Sequence, residues 1–415
     1  MKNKTLIFFI TLIYIFIVLY STSILFKIDK STNSHENVIL DHSSNSNTNN
    51  KLVRNSTSAS THSTKTEINK LILSWDPGYS FFSQFSDCKE LGCQFTYDKT
   101  AISKAGLVLF SVAWAQKLNY SGQMPKREFP EQIFMGFSFE PATYYNLTVN
   151  QTFIQEHLNA TAGFRYITNE PSHVYMPYGP ECVKNMWGYI FRYGPPITKI
   201  PENNRENKIL FAASNCKSFT GRDQFVTELM KYINIDSIGK CVHNKNITVN
   251  RAEMTAHQNG DVKLQILKTY KFALAIENSE CDDYVTEKLW EPLSVGTIPI
   301  YLGAKNVKRF LPHPDAIIDI RDFDSAQSLS DYIKLVDTNE TLRRKHLQWI
   351  EEPRTKEYQQ LYKDSKDYSD MFCGMCRRLI DYQTNPNMPR VLRPIDIPFP
   401  ECELKPFSFP INSAV

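Results

Sequence analysis

Neither sign of charge dominates this sequence: 47 Lys+Arg face 44 Asp+Glu in 415 residues, a formal net charge of +3. That balance excludes a polycationic nucleic-acid binder. The chain is not poor in apolar residues either, since 42% are AVILMFWYC and 13% are aromatic, which excludes a disordered protein. No internal repeat is visible. The nine histidines are scattered without i, i+4 pairing, and the CxxC at Cys373–Cys376 has no second CxxC or His pair to complete a zinc site. No Walker loop or GxGxxG is present, and no Ser/His/Asp or Cys/His constellation announces covalent catalysis.

What is present begins with an uncharged run, Leu6 to Phe26 (LIFFITLIYIFIVLYSTSILF), long enough as a helix to span a ~30 Å hydrocarbon core. Lys2 and Lys4 precede it, and Lys27, Asp29 and Lys30 leave less net positive charge after it, so residues 1–5 are expected to stay cytosolic. A cleaved signal peptide, cut near Ser21 or Ser23, is the competing reading; the run exceeds the usual h-region of ~7–15 residues, which favours an uncleaved type II anchor. Seven N-x-S/T sequons follow, at Asn55, Asn119, Asn146, Asn150, Asn159, Asn246 and Asn339, as suits a glycosylating compartment. The nine cysteines would there be mostly disulfides, with at least one left over; Cys88 and Cys93 could pair with Cys373 and Cys376 or with each other.

Residues 27–70 turn to Ser, Thr, Asn, Lys and His without an apolar face and read as a flexible, disordered stem. The globular part begins near Leu71. A Pro- and Asn-rich stretch, Tyr193 to Asn207, divides it into expected domains over 71–200 and 205–370. LILSW, GLVLFSVAWA and QIFMGFSF read as strands in the first; KILFAAS, FALAI, TIPIYL and AIIDI do so in the second, alternating with helical patterns at Arg222–Ile233, Val285–Val295 and Ala326–Val336. Such alternation predicts an α/β protein with a parallel, doubly wound sheet.

Ligands of such sheets bind beyond the carboxyl ends of the strands. Two loops there carry chemistry. Ser214 to Arg222 ends at a helix start with a glycine and an arginine, a setting that suits an anion although a solvated loop is the simpler account. Glu277 to Trp290 crowds carboxylates, amides and a tyrosine at a strand mouth. Asp283 and Thr286 can be ordinary helix caps, but Lys288 sits where a cation opposes the helix dipole and gains nothing unless an anion is near. Together these residues fit a negatively charged ligand rich in hydroxyls, such as a sugar nucleotide.

The run FALAIENSECDDYVTEKLWEPLSVGTIPIYLGA (Phe272 to Ala304) resembles the nucleotide-sugar signature of the α1,3-fucosyltransferases, glycosyltransferase family 10. Asn159 to Gly179, ending in P-Y-G, is similar to that family's second segment, and Gly136-Phe-Ser-Phe-Glu140-Pro141 to its short acceptor-side segment. The resemblance implies a GT-B fold: two Rossmann-like domains facing a cleft, the first binding acceptor and the second GDP-fucose, with residues 371–415 packing back on the first. It implies donor contacts at Arg222, Asn278, Tyr284, Glu287 and Lys288. Glu140 matches the catalytic base, and Glu287 is expected beside the sugar or ribose. The implied reaction is an inverting transfer of fucose from GDP-fucose to a GlcNAc hydroxyl of a glycan, in the Golgi lumen, with no tightly bound cofactor and no divalent metal required. Asp322-Phe323-Asp324 is a literal DxD, yet Asp324-Ser325 precedes a helical run and reads as its cap. Two alternatives stay open: transfer to protein side chains, suggested by Trp290-Glu291-Pro292-Leu293, and a lectin-like protein that has lost catalysis.

Overall fold

The computed structural model describes residues 69–76, 91–118, 124–148, 150–166, 173–175, 197–247, 256–367, 371–385, 402–403 and 405–409. The expected anchor, the expected stem up to residue 68, Asn55, Asn119, Cys88 and the P-Y-G segment lie outside the described residues; Asn69 and Lys70, expected in the stem, instead bond to Gln383 and Gln94. Among those described, no helix is long and apolar enough to cross a membrane.

Short, almost wholly apolar runs build two sheets. In the first half β1 (Leu71–Ser74), β2 (Gln94–Thr96), β3 (Leu107–Ser111), β4 (Ile133–Ser138), β5 (Ala160–Gly163) and β6 (His173–Tyr175) pair in the order β2-β1-β3-β4-β5-β6. All these pairs are parallel, with Leu107 opposite Ile133 and Met135 opposite Ala160. In β3 every residue is buried, as a strand covered on both faces requires. GLVLFSVAWA is not one strand: after Ser111 the chain turns into a helix, α1 (Val112–Leu118). The Ser111 amide donates to the buried Asp76 carboxylate there, which satisfies the strand's last N–H and lets the Ala-containing tail coil. A second helix, α2 (Gln151–His157), is capped by Asn150, whose Oδ1 accepts from the Phe153 amide at 2.9 Å.

The second half repeats the plan. Its strands β7 (Glu206–Phe211), β8 (Ile235–Ser237), β9 (Tyr270–Ile276), β11 (Ile298–Leu302) and β12 (Ile318–Asp319) form a parallel sheet ordered β12-β11-β9-β7-β8. Helices α3 (Arg222–Leu229), α4 (Ala256–Leu267) and α5 (Glu287–Ser294) connect its strands, and α6 (Ala326–Thr338), α7 (Glu340–Leu347) and α8 (Lys356–Asp367) follow. The expected alternation of parallel strands and helices is therefore observed.

Residues 371–415 do not return to the first half alone. Helix α9 (Met371–Thr384) does, through Cys376 bonded to Cys93 and through Gln383, which accepts from the Asn69 amide at 2.8 Å. The chain's last described residues pack on the second half instead. There β13 (Cys402–Glu403) pairs antiparallel with β10 (Glu280–Cys281), Cys402 is bonded to Cys281, and Phe407 and Phe409 lie against Phe225. Cys373 is also disulfide-bonded. The pairs Cys281–Cys402, on the paired strands β10 and β13, and Cys216–Cys241, beyond the paired strands β7 and β8, are ones that spacing alone does not show.

The sequons divide. Asn146, Asn150, Asn246 and Asn339 are exposed. Asn159 is not a usable acceptor: it is buried, its Oδ1 accepts from the Phe134 amide at 2.6 Å, and its amide reaches the Gln132 carbonyl. A glycan there would break its bonds to Phe134 and Gln132 beside β4.

Candidate active site

The carboxyl ends of both sheets carry the chemically loaded residues. Glu140 stands two residues beyond β4, in a turn fixed by Ser138, whose hydroxyl donates to the Glu140 carbonyl at 2.7 Å. Asn278 stands two residues beyond β9, and Tyr284 precedes the start of α5. Across the halves, the Tyr284 hydroxyl donates to Glu140 Oε2 at 3.0 Å and the Asn278 amide donates to the same oxygen at 3.3 Å. Residues separated by more than 130 positions thus meet around one carboxylate, the arrangement expected for a base facing a donor site. Neighbouring contacts close the same seam. Thr143 and Ser279 hydroxyls lie 2.7 Å apart, and the Tyr144 hydroxyl donates to the Lys217 carbonyl at 2.6 Å.

The donor-side loop is built on Glu277. This carboxylate is fully buried at the end of β9, where Oε1 accepts from the Thr286 amide at 2.7 Å and Oε2 from the Thr286 hydroxyl at 2.8 Å. Gly303 leaves room for it, since a Cβ there would fall 2.6 Å from Glu277 Cγ. Lys288 Nζ lies 3.2 Å from Glu277 Oε2, 3.0 Å from Glu287 Oε1 and 2.9 Å from Thr286 Oγ1. The anion opposite Lys288 is therefore the chain's own pair of carboxylates, so its place near a helix start does not by itself demand a ligand. Glu277 was the residue that sequence reasoning left without a role; its only signal was a carboxylate directly at the end of an apolar strand.

Electrostatics follow from this packing. Burial alone would strip Lys288 of its proton, but Glu277 and Glu287 outweigh it and hold the ammonium above its usual range. For Glu287 burial again opposes ionisation, and Lys288 with Lys263 overcomes it, bringing the carboxyl down to about 2. Burial pushes Glu277 up, against the pull of Lys288. One turn along α5, Glu291 is buried beside Lys263, and burial raises its carboxyl to about 7.

Arg222 opens α3 after Gly221, which takes the left-handed conformation (φ 67°) while Pro406 packs where a Cβ would stand. Its guanidinium is buried, donating to the carbonyls of Asn215 and Ile276, and it is near enough to Lys288 to disfavour that second positive charge. Two atoms in this group are buried without a hydrogen-bond partner among the described residues: Arg222 Nε and Asn278 Oδ1. Both belong to the residues expected to touch the donor. Direct contacts link Glu140 to Asn278 and Tyr284 and Lys288 to Glu287, and Arg222 donates to the carbonyl of Ile276 at the end of β9, just before Glu277.

The DxD is placed otherwise. Asp324 Oδ1 accepts from the Ser328 hydroxyl at 2.7 Å beside a Ser325 capping box at the start of α6. Among the described residues the one cluster with metal-ligand spacing is Cys216, Asp223 and Cys241, and its two cysteines are bonded to each other.

Two family models match the chain: "Fucosyltransferase, N-terminal" over residues 67–179 and "Glycosyltransferase family 10 (fucosyltransferase) C-term" over residues 202–394. The chain belongs to glycosyltransferase family 10. Within it, relatives from Xenopus laevis and Bos taurus, both named GDP-fucose protein O-fucosyltransferase 3, are 28% and 36% identical over 67% of this chain. The chain spans 58% and 57% of their lengths. The fold is also similar to that of a solved α1,3-fucosyltransferase with GDP, at a TM-score of 0.50 over 78% of this chain and 93% of that one, with 16% identity.

Proposed function

We propose that this member of family 10 transfers fucose from GDP-fucose to a hydroxyl of a protein side chain, with inversion. The carrying observation is the meeting of Glu140 with Tyr284 and Asn278, a carboxylate from the first half set against the donor loop of the second. In this reading Glu140 takes the acceptor hydroxyl's proton as its oxygen attacks the anomeric carbon. The bond from that carbon to the diphosphate oxygen breaks, and GDP leaves with the electron pair. Lys288 and Arg222 stabilise the charge that develops on the phosphates. Asn278 Oδ1 and Arg222 Nε, the two unsatisfied buried atoms, are where donor groups find partners.

The acceptor class rests on the relatives' names, which favour protein over the glycan GlcNAc hydroxyl that the family signature suggested. Both domains carry intact site residues, which disfavours the lectin-like alternative. The anchor and sequons fit a single-pass type II protein with its catalytic part in the Golgi lumen. An acceptor screen tests the whole reading. Secretory polypeptides with free Ser and Thr, and GlcNAc-terminated glycans, are offered with GDP-fucose and the products are located by mass spectrometry. Fucose on a polypeptide hydroxyl supports the proposal; fucose on glycans alone restores the α1,3 reading; no transfer to either, despite GDP binding, removes both.

A further inference from the structure

Asp283 is absorbed neither by helix capping nor by the donor contacts. It adopts φ 64°, a left-handed conformation shared by only one other non-glycine residue among those described, Val242. Asp tolerates that region better than most residues, but the conformation still needs support from its surroundings. The support is a buried cluster. Asp283 is 4% exposed. Its Oδ1 accepts from Asn306 Nδ2 at 2.9 Å and from Arg309 at 3.2 Å, and its own amide donates to Asn306 Oδ1 at 2.9 Å. These bonds stay within the second half. The other oxygen crosses the seam: Oδ2 accepts from the Tyr166 amide at 3.2 Å and lies 4.0 Å from Arg165 Nε. Arg309 spans the same gap, stacking 4.9 Å over the Tyr166 ring and donating to the Tyr166 carbonyl at 3.4 Å.

Phe164, Arg165 and Tyr166 directly follow β5, the strand paired with the one that carries Glu140 into the cleft. On the other side, the residue after Asp283 is Tyr284, whose ring packs edge-on against Phe164 at 5.0 Å and whose hydroxyl meets Glu140. One backbone position thus ties the first half down with its own side chain and presents the base's partner with the next. We propose that Asp283 is the latch between the two halves and a positioning residue for the transfer: it sets the distance between Tyr284 and Glu140 by gripping the end of β5. The inference rests on the transferase reading for its catalytic consequence, not for the latch itself.

Asp283→Asn keeps the tolerance for the left-handed conformation and keeps an acceptor, while removing the charge that Arg165 and Arg309 face. Two measurements on the disulfide-intact chain test it. Hydrogen exchange of the peptide containing Tyr166 reads the latch without any turnover, and GDP release from GDP-fucose, with GDP affinity measured alongside, reads positioning. Faster exchange around Tyr166 is expected, with turnover falling by about 10²-fold, the loss an ångström-scale misplacement produces, and GDP affinity unchanged. Unchanged exchange overturns the latch. Turnover that stays at the parent value, or that falls only in step with GDP affinity, overturns the positioning role. Should Asp283→Asn not fold, Arg165→Gln combined with Arg309→Gln removes both cations that hold Asp283 and Tyr166 together and is read on the same two scales, with the same outcomes deciding. A parent chain that binds GDP but never consumes GDP-fucose defeats the transferase reading, and the exchange result still judges the latch.

Discussion

The two lips of the cleft are built differently. On the second half, Glu277, Asn278, Ser279, Asp283, Tyr284 and Thr286 are all buried: Glu277 and Thr286 bond to each other, Asp283 bonds to Asn306 and Arg309, and Asn278, Ser279 and Tyr284 reach across the seam. On the first half, Glu140 and residues 142–145 are only half-buried, and their side chains find partners chiefly across the seam. The second-half lip is thus held by Glu277 and Asp283 from within its own half as well as by the seam, whereas the described partners of the first-half lip lie mostly across it. On the proposed reading, that difference gives a donor side fixed from below and an acceptor side fixed only by the seam.

The comparison breaks first at Glu140. Glu140→Gln retains an oxygen for Tyr284 yet cannot take a proton, so transfer is expected to fall by about 10²–10⁴-fold with GDP binding preserved. Turnover near the parent value, in a transfer assay beside calorimetric GDP titration, would place the base elsewhere. Next comes Lys288→Ala. It removes the cation proposed to stabilise the diphosphate and also leaves Glu277 buried without its ion-pair partner, a defect worth about 3–5 kcal/mol of stability. Adding Glu277→Gln is expected to return much of the melting temperature but none of the GDP affinity. If both recover together, Lys288 serves the loop and not the donor. A third, smaller effect is expected from Tyr284→Phe, which deletes one bond to a charged acceptor, about 1.5–3 kcal/mol. It should appear in kcat for transfer and not in the dissociation constant for GDP; the opposite split would make Tyr284 a donor contact only.

How far the sequence disclosed this asymmetry depends on the range of the interaction. The seven apolar runs fall on β1, β3, β4, β7, β9, β11 and β12; FALAI and TIPIYL match β9 and β11 almost residue for residue, because a strand buried on both faces needs an unbroken apolar run. GLVLFSVAWA misled, since hydropathy does not mark where Asp76 ends β3 and α1 begins. Lys288 stands out in the sequence for its unfavourable place on α5, but the compensating Glu277 is eleven residues away and is brought near only by the strand-to-helix turn. Asn159 looked like a glycan acceptor because a tripeptide carries no information about burial. The latch at Asp283 joins residues 117 positions apart, and its neighbours' motif offered only a cap.

The smallest expected effect lies beneath the donor lip and separates its two carboxylates by pH. Glu287 is depressed to about 2, so its contribution to stability is complete above its ordinary value of 4.5 and is lost only as pH falls toward 2. Glu291 is raised to about 7 by burial, with Lys263 partly offsetting the effect. Between pH 4.5 and 7 the folded chain therefore holds a proton that the unfolded chain has released, and stability declines as pH rises through that window before levelling off. Glu291→Gln is expected to flatten the decline. Because Lys263 loses its partner but is part-exposed and can turn to water, the net gain at neutral pH is on the order of 1 kcal/mol, about 1–2 °C in Tm for a chain of this size. Melting curves across the window decide it: a slope unchanged by Glu291→Gln would mean that Glu291 stays ionised against Lys263, and that α5 carries a permanent chain of alternating charges under the donor site.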